Sequence, residues 1–256
     1  MIDPPAGVLV VTGTGTGVGK TVVTAAVATL AAAAGLRVAA VKAAQTGVGA
    51  GEPGDADQIR RLSGLARGQV YELARYPLPL APATAARLSG LAPVDLDNCV
   101  AVVTELATNH HLVLVEGAGG LLVRLRDVPS TGATVAELAE QLGASVLVVV
   151  EPGLGTLNAT ALTLEALDRR RLRCAGLVLG RWPAEPDLAC TANIGDLETI
   201  AGRRLAGALP DGMGTLSPER FRSAATAALG PELGGTFDAA NFRREHAPRT
   251  LIDEQE

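Results

Sequence analysis

The sequence predicts a single α/β domain with a mostly parallel sheet and helices on both faces. Two observations lead to this fold class. Short apolar runs rich in Val and Leu alternate with longer runs of helical character, and apolar strands separated by helices imply a parallel sheet covered on both sides. Of the 256 residues, 48% are hydrophobic but only 2% are aromatic, so the core must be aliphatic. This length fits one α/β domain better than two.

The first half of the alternation is clear up to about residue 63. Its predicted elements are the strand 8–12, the helix 20–34, the strand 37–41 and a short helix that begins near Asp55. The helix 20–34 is Ala-rich and ends at Gly35, because glycine is favoured just past the end of a helix. Residues 70–93 contain many prolines and are left unassigned.

The second half continues the pattern, with helices at about 95–109, 134–143, 157–171 and 187–204 and strands at 111–117, 145–151, 174–180 and 205–210. Leu96, Val100, Val103 and Leu106 have near-helical spacing. A last helix over 217–229 begins at Pro218, which is favoured in the first helical position. We expect one domain over 1–229. Residues 230–256 are charged and interrupted by Gly and Pro, and are expected to form either a disordered tail or an arm on a partner subunit.

The stretch Val8 to Thr21, "VLVVTGTGTGVGKT", predicts a phosphate-binding loop. Glycines let backbone N–H groups converge on phosphate oxygens, and the helix that follows adds its N-terminal dipole. Lys20 is suited to neutralise the β- and γ-phosphates, and the Thr21 hydroxyl to bind Mg²⁺. The alternative is a glycine-rich turn with a helix-capping Thr. Strand, Gly-Lys-Thr and helix in register favour the phosphate loop.

Glycines and charged or polar residues follow five of the predicted strands. Ligands of parallel sheets bind at the carboxyl ends of the strands. Lys42 ends the second strand, and Glu116 ends a strand that runs directly into a Gly-rich segment. A charged residue in an apolar strand is costly unless it is paired. Both residues are therefore candidates for the ligand-binding site. The alternative for Lys42 is an ordinary surface lysine, and the alternative for Glu116 is a capping or salt-bridge carboxylate.

Composition excludes several classes of partner. A formal net charge of −5 gives no basic footprint for nucleic acid. Cys99, Cys174 and Cys190 are scattered without paired or metal-ligand spacing, as expected for small core residues in a reducing compartment. No basic-then-apolar leader opens the sequence, and no apolar run approaches about 18 residues. We therefore expect a cytoplasmic protein that does not contact membranes.

Four motifs, "TGTGTGVGKT", "VKAAQTG", "VEGAGGLLV" and "LGTLNATALT", occur in this order on the alternating pattern. Together they resemble the dethiobiotin synthetases, and the resemblance runs from about residue 8 to 210. It implies a single-domain P-loop NTPase. It also implies an ATP- and Mg²⁺-dependent ligase of biotin synthesis that carboxylates 7,8-diaminononanoate with CO₂ and closes a cyclic urea. The implied intermediates are an N-carbamate and a carbamic–phosphoric anhydride, and the implied working unit is a homodimer whose site is shared across the interface.

The resemblance also implies the site residues. The catalytic residues would be Lys42, Lys20 and Thr16, and the Mg²⁺ ligands Thr21, Asp55 and Glu116, with Asp55 favoured over Asp57. The nucleotide would contact Gly15, Thr16, Gly17, Val18, Gly19, Lys20, Thr21, Val22, Gly180, Arg181, Leu209 and Pro210. The diamine and carbamate would contact Thr16, Lys42, Thr46, Gly117, Ala118 and Gly119, and the substrate carboxylate would meet Gly155, Thr156, Leu157 and Asn158 of the partner subunit.

Two positions depart from the family pattern. Ala43 and Ala44 follow Lys42 where the family commonly has Pro-Val, which should alter loop stiffness more than chemistry. Gly180 stands where many members carry an Asn that reads the adenine edge, so we expect loose nucleobase selectivity here.

The competing hypothesis is a P-loop ATPase switch of the partition or carrier type. Those proteins usually show a second lysine early in the loop, where this sequence has Gly15 and Thr16. An amide synthetase is disfavoured because too few residues follow Gly207 to form a glutaminase domain.

Overall fold

A seven-stranded parallel sheet forms the centre of the molecule in the computed structural model, which describes residues 7–127 and 133–248. Its strand order is β4-β2-β6-β1-β7-β8-β9, and a separate two-stranded parallel sheet pairs β3 with β5. The strands are β1 (Gly7–Gly13), β2 (Val38–Lys42), β3 (Gln45–Thr46), β4 (Val70–Glu72), β5 (Arg75–Tyr76), β6 (Leu112–Glu116), β7 (Ser145–Val150), β8 (Cys174–Trp182) and β9 (Gly207–Pro210).

Helices cover both faces of this sheet. They are α1 (Lys20–Ala33), α2 (Asp55–Ser63), α3 (Pro82–Ser89), α4 (Leu96–Asn109), α5 (Val135–Gln141), α6 (Thr156–Arg169), α7 (Leu188–Ala201), α8 (Pro218–Ala228) and α9 (Ala239–Glu245). In the part of the chain that the structure describes, no helix has both the length and the apolar character needed to cross a bilayer.

The core lies in two apolar layers, one on each face, because successive strand residues point to opposite sides. In β1, Val10 belongs to one layer, whereas Leu9 and Val11 belong to the other. Cys99 and Val103 of α4 lie in the first layer, and the buried apolar residues of α1 and α8 lie in the second. Each fully buried Val or Leu side chain contributes about 1.5–3 kcal/mol relative to its exposed state. The two apolar layers confirm the predicted aliphatic core and the sheet covered on both faces.

The strand order gives the ligand-binding edge its position. From β1 the chain moves to β2 and later to β6 on one side, and then to β7, β8 and β9 on the other. Binding crevices form where the direction of strand addition reverses, outside the carboxyl ends of the strands. The loop after β1 lies at this switch point, between the carboxyl ends of β6 and β7.

The elements agree with the predicted alternation, and the structure adds those missing from 70–93. This stretch forms β4, β5 and α3, and Pro82 takes the first position of α3, where its missing N–H costs nothing. The strand predicted at 174–180 extends to Trp182, because it pairs with β9 beyond a register shift.

The segment after Gly230 belongs to the fold as far as the structure describes it. A 3₁₀ turn (Pro231–Leu233) and α9 follow, and Phe237, Ala239 and Phe242 pack against the core of this chain. This segment thus contains a turn and a helix, and three of its apolar side chains contact the core of their own chain. The domain boundary expected at 229 stays a prediction. The rest of the expected tail, 249–256, lies outside the described residues.

Candidate active site

The loop between β1 and α1 has the backbone geometry of an anion cradle. Gly17 and Gly19 both have positive φ, +82° and +99°, which residues with a side chain rarely adopt. The N–H groups that start α1 are free of side-chain caps, and the helix dipole adds positive potential there. The Lys20 ammonium folds back over the loop and donates a 2.7 Å hydrogen bond to the Gly15 carbonyl. Lys20 is 7% exposed, and burial lowers its pKa to about 8.

The underside of this loop rests directly on β8. A Cβ atom at Gly180 would lie 1.9 Å from the Val18 carbonyl oxygen, and one at Gly19 would lie 2.5 Å from the Gly180 carbonyl oxygen. Backbone atoms cannot give way by that much, so both positions require glycine in this arrangement. Gly180 therefore supports the loop and supplies no side chain to a ligand.

A buried charge cluster lies beside the loop. The Lys42 ammonium is 2.7 Å from Glu116 Oε1 and 2.6 Å from Asp55 Oδ2, and it donates a 3.1 Å hydrogen bond to the Gly117 carbonyl. The Thr21 hydroxyl donates to the same Glu116 Oε1 at 2.8 Å. Lys42 is 3% exposed and Glu116 is fully buried. Residues from α1, α2 and the ends of β2 and β6 thus meet at one point.

The electrostatics of the cluster keep Lys42 charged. Burial alone would lower its pKa, but the carboxylates of Glu116 and Asp55 outweigh burial and raise the pKa above the ordinary value of 10.5. Lys42 is therefore an ammonium over the whole physiological range, whereas Lys20 has a lower pKa and titrates near pH 8.

The donor set next to Lys42 fits Mg²⁺. Glu116 Oε2 is buried and has no hydrogen-bond partner among the residues that the structure describes, which is costly unless a cation or water contacts it. Thr21, Asp55 and Glu116 supply hard oxygen atoms, and Mg²⁺ characteristically takes one or two carboxylates and completes its octahedron with phosphate and water oxygens. Across the ranges 7–127 and 133–248, no group of three or more His, Cys, Asp or Glu offers a protein-only metal cage.

Asp55 and Asp57 have different roles at the start of α2. Asp57 accepts a hydrogen bond from the Gly54 N–H at 3.0 Å and pairs with Arg60 at 2.8 Å, so it caps the helix. Asp55 instead points to Lys42, and its own N–H donates to Gln45 Oε1 at 2.8 Å. Asp55 is thus the aspartate that faces the cleft.

A cleft of about 860 Å³ joins these groups. Of the predicted site residues it brings together Thr16, Gly17, Gly19, Lys20, Thr21, Val22, Lys42, Thr46, Asp55, Glu116, Ala118, Gly119, Gly180, Arg181 and Pro210. Gly15, Val18, Gly117 and Leu209 do not line it, and the side chains of Val18 and Leu209 are buried in the core. Leu209 therefore offers no side chain to a ligand in the cleft.

The start of α6 does not line this cleft. Gly155, Thr156, Leu157 and Asn158 are absent from its walls. Gly155 has φ +88° and is exposed, as are Asn158 and the preceding Leu154, whose side chain is 91% exposed. A substrate in the cleft of one chain is therefore not expected to meet the α6 start of the same chain.

Sequence reasoning missed several walls of the cleft. Gln58 of α2, Val123 and the segment 79–82 all line it, as does Thr215. Arg181 pairs with Asp211 at 3.0 Å across its outer end, and hydrogen bonds from this arginine lower the Asp211 pKa. A polar residue on an amphipathic helix, such as Gln58, carries no sequence signal that separates a cleft wall from an ordinary exposed face.

Comparison with known proteins identifies the family. A family model described as an AAA domain matches residues 7–219. The chain is 60% identical over 238 residues to the ATP-dependent dethiobiotin synthetase BioD of Frankia casuarinae, covering 93% of this chain and 98% of that protein. It is 55% identical over 241 residues to the protein of the same name from Streptomyces coelicolor, covering 94% and 99%.

Solved structures agree on the fold. The cell division ATPase MinD of Pyrococcus furiosus superimposes with a TM-score of 0.53 at 18% identity, covering 89% of this chain and 97% of that one. A ParA family ATPase from Chlorobium tepidum gives 0.52 at 13% identity, covering 89% and 90%. These similarities confirm the P-loop NTPase fold alone. The high identity to the curated relatives, over nearly the whole length of both chains, shows that this enzyme belongs to the ATP-dependent dethiobiotin synthetase family.

Proposed function

We propose that this chain joins CO₂ to 7,8-diaminononanoate and closes the ureido ring of dethiobiotin at the expense of ATP. One amine attacks CO₂, forms an N–C bond and loses a proton, which gives a carbamate. A carbamate oxygen attacks the γ-phosphorus of ATP and ADP leaves. The second amine attacks the carbonyl carbon of the resulting carbamic–phosphoric anhydride, loses a proton and expels inorganic phosphate.

The observation that carries this proposal is the buried Lys42 ammonium beside the phosphate loop. A carbamate and a triphosphate are both anionic and repel each other, so the reaction needs fixed positive charge where they meet. The raised pKa keeps Lys42 protonated, and its low exposure limits screening by water. Lys20 lies across the phosphate loop and would neutralise the γ-phosphate as charge moves to the leaving oxygen.

The other side chains have positioning and binding roles in this proposal. Thr21, Asp55 and Glu116 would hold Mg²⁺, which neutralises phosphate charge when it is bound. Thr16 and Thr46 line the cleft and would orient the diamine and carbamate by hydrogen bonds from their hydroxyls. The nucleobase would lie near Gly180, Arg181, the Leu209 backbone and Pro210, with affinity coming mainly from the triphosphate.

The far carboxylate of the substrate would bind at the α6 start of a second subunit. Backbone N–H groups at a helix start attract anions without any lysine. Gly155, Thr156, Leu157 and Asn158 do not line the cleft of their own chain, which supports a role across an interface. The working unit in this proposal is a homodimer with two shared sites.

The experiment is a comparison of wild type with Lys42→Ala. Phosphate release and cyclic urea formation are measured with ATP, Mg²⁺ and bicarbonate, with and without the diamine. We expect release to depend on the diamine and to fall by about 10²–10³-fold in the variant, as when a charge-stabilising donor is removed. The variant should still bind Mg·ADP, which shows that it folds.

Arg169→Ala is the matched control, because it removes a cation from an exposed ion pair with Glu165 at the end of α6, away from the cleft. It should keep wild-type turnover. Phosphate release that is the same with and without the diamine, and the same in wild type and Lys42→Ala, would refute the ligase proposal and favour an ATPase switch.

A further inference from the structure

Half of the aromatic residues of this chain meet at one place. The sequence has one Trp, two Tyr and three Phe. Trp182, Phe237 and Phe242 form a cluster with His246, with ring centroids 5.0 Å apart for Trp182–Phe242 and for Trp182–His246, and 5.2 Å apart for Phe237–Phe242. The two contacts of Trp182 are edge-to-face, a favourable geometry for aromatic pairs. The other two aromatic side chains of the buried core, Tyr76 and Phe221, lie in different layers, so this concentration marks a specific docking point.

The cluster fastens the C-terminal segment, defined here as residues 231–246, to the end of β8. Two backbone hydrogen bonds also tie it down, from the Thr236 N–H to the Thr226 carbonyl at 2.7 Å and from the Phe237 N–H to the Leu229 carbonyl at 2.9 Å. Arg243 of α9 lies 3.3 Å from Glu198 of α7, whose side chain is only 6% exposed. The segment therefore has fixed contacts with α7, α8 and β8.

Trp182 connects this docking point to the nucleotide cleft. Its side chain is 7% exposed, and its carbonyl accepts a 2.7 Å hydrogen bond from the Asp211 N–H. The Asp211 carboxylate pairs with Arg181, the residue before Trp182, and Arg181 Nη1 donates to the Gly17 carbonyl of the phosphate loop at 3.4 Å. Arg181 and Asp211 line the cleft, whereas no residue of α9 does.

We propose that the C-terminal segment is a positioning element for the nucleotide, acting through Trp182 on the Arg181–Asp211 wall of the cleft. The proposal rests on ATP being the co-substrate. Gly180 offers no side chain at this end of the cleft, so the wall formed by Arg181 and Asp211 shapes it. Both side chains are about half exposed, and an ion pair between exposed groups is too weak to hold them in one position. The neighbour of this pair is Trp182, whose side chain is 7% exposed and contacts the rings of Phe242 and His246.

The test uses Trp182 fluorescence, because Trp182 is the single tryptophan of the sequence. The variant is Phe242→Ala, which removes an aromatic contact from a half-buried position, and Phe242→Tyr is the conservative rescue. Mg·ATP and Mg·ADP are titrated into each protein, and KM for nucleotide and for diamine are measured separately. We expect red-shifted Trp182 emission and a Kd for nucleotide raised by roughly fivefold in Phe242→Ala, the loss typical of one aromatic pair.

Phe242→Tyr should restore the wild-type Kd, and kcat and the KM for diamine should not change in either variant. Val103→Ala, a buried truncation in α4 that does not line the cleft, controls for a general loss of stability. An unchanged nucleotide Kd in Phe242→Ala would overturn the proposal. So would an equal rise in both KM values that Val103→Ala reproduces. Nucleotide binding is measured without turnover, so a failure of the ligase proposal would leave this outcome readable.

Discussion

Lys20 and Lys42 are the only two lysines among the 22 Lys and Arg residues of the sequence, and both lie in the cleft. Their environments differ although each is buried. Lys20 has a carbonyl partner and a pKa of about 8, lowered mainly by burial. Lys42 has two carboxylate partners, which overcome burial and raise its pKa. An arriving anion can therefore change the protonation of Lys20, whereas Lys42 carries a permanent charge.

Lysine NMR tests this difference directly. With ¹³Cε-labelled lysine, we expect two signals in the folded protein, one titrating near pH 8 and one that stays protonated above pH 10.5. Adding Mg·ADP should raise the pKa of Lys20, because phosphate oxygens favour the ammonium. Two lysines that both titrate near 10.5 would contradict the assignment.

The same shift predicts the pH dependence of stability and binding. Lys20 has a lower pKa in the folded chain than the ordinary 10.5 of the unfolded chain, so between about pH 8 and 10.5 the unfolded state binds more protons. The Lys20 contribution to the free energy of unfolding therefore rises with pH across that window. Nucleotide affinity should fall over the same window, as Lys20 loses its charge.

Residue-scale prediction from the sequence succeeds where a residue type conflicts with its surroundings. Lys42 and Glu116 could be singled out because charged residues ending apolar strands need partners. The resemblance to the family grouped Glu116 with Asp55 as metal ligands, and the structure adds that both carboxylates pair directly with Lys42. The sequence shows only that Gly180 has no side chain to read a base. The structure adds that Val18 leaves no room for a side chain there.

At the scale of elements, the loop before α2 decides where Asp55 lies. Arg75 of β5 donates to both Glu72 carboxylate oxygens at 2.6 and 2.9 Å. The same guanidinium donates to the carbonyls of Gly49 and Glu52 at 2.9 and 2.7 Å. One planar group thus fixes the Gly-rich loop against the small β3–β5 sheet.

Arg75→Lys should loosen this loop, because an ammonium cannot reproduce a planar fork with several directed donors. We expect a loss of about 1–2 kcal/mol in the free energy of unfolding. The Mg²⁺ concentration for half-maximal activity should rise several-fold, and the increase in melting temperature that Mg²⁺ gives to the ADP-bound protein should shrink. Arg60→Lys is the matched control, because the one ion pair of Arg60 within residues 7–127 and 133–248 is with the capping Asp57 on the surface of α2. Equal Mg²⁺ dependence in the two variants would contradict this role for Arg75.

Element prediction was accurate for the longer helices and strands. It failed for α3, which lies in the proline-containing stretch left unassigned, and for elements that depend on tertiary pairing. Each strand of the main sheet except β4 was anticipated, since a continuous apolar run identifies a doubly covered strand. β3 and β5 contain two residues each and exist only because Gln45 and Thr46 pair with Arg75 and Tyr76. No periodicity can be read from two residues. α9 was missed because its docking depends on Trp182, far away in the sequence.

At the scale of the whole molecule, the account requires two chains for each site. Complementation of inactive variants tests this. Lys42→Ala damages the cleft, and Gly155→Val damages the α6 start, where φ is +88° and a β-branched residue is strained. We expect each variant alone to have little activity. A co-expressed mixture should recover about a quarter of wild-type activity, because half of the randomly assembled dimers are hybrids and each hybrid has one intact site.

Purified hybrids that carry two different tags should reach about half of wild-type activity by the same symmetry. Wild type co-expressed with Lys42→Ala is the control for assembly. Hybrids as inactive as their parents would contradict the shared site while leaving the chemistry of the cleft untouched.

The central claim, that the carbamate oxygen attacks the γ-phosphate beside Lys42, is tested most directly by oxygen transfer. Fresh C¹⁸O₂, diamine and Mg·ATP are mixed with the enzyme in unlabelled water for a single turnover, and the released phosphate is analysed by mass. The account predicts one ¹⁸O atom in each phosphate, in equal amount to the cyclic urea, because the oxygen that bridges carbon and phosphorus leaves with the phosphate. Phosphate without ¹⁸O would mean that water attacks ATP, and the ligase mechanism proposed here would be wrong.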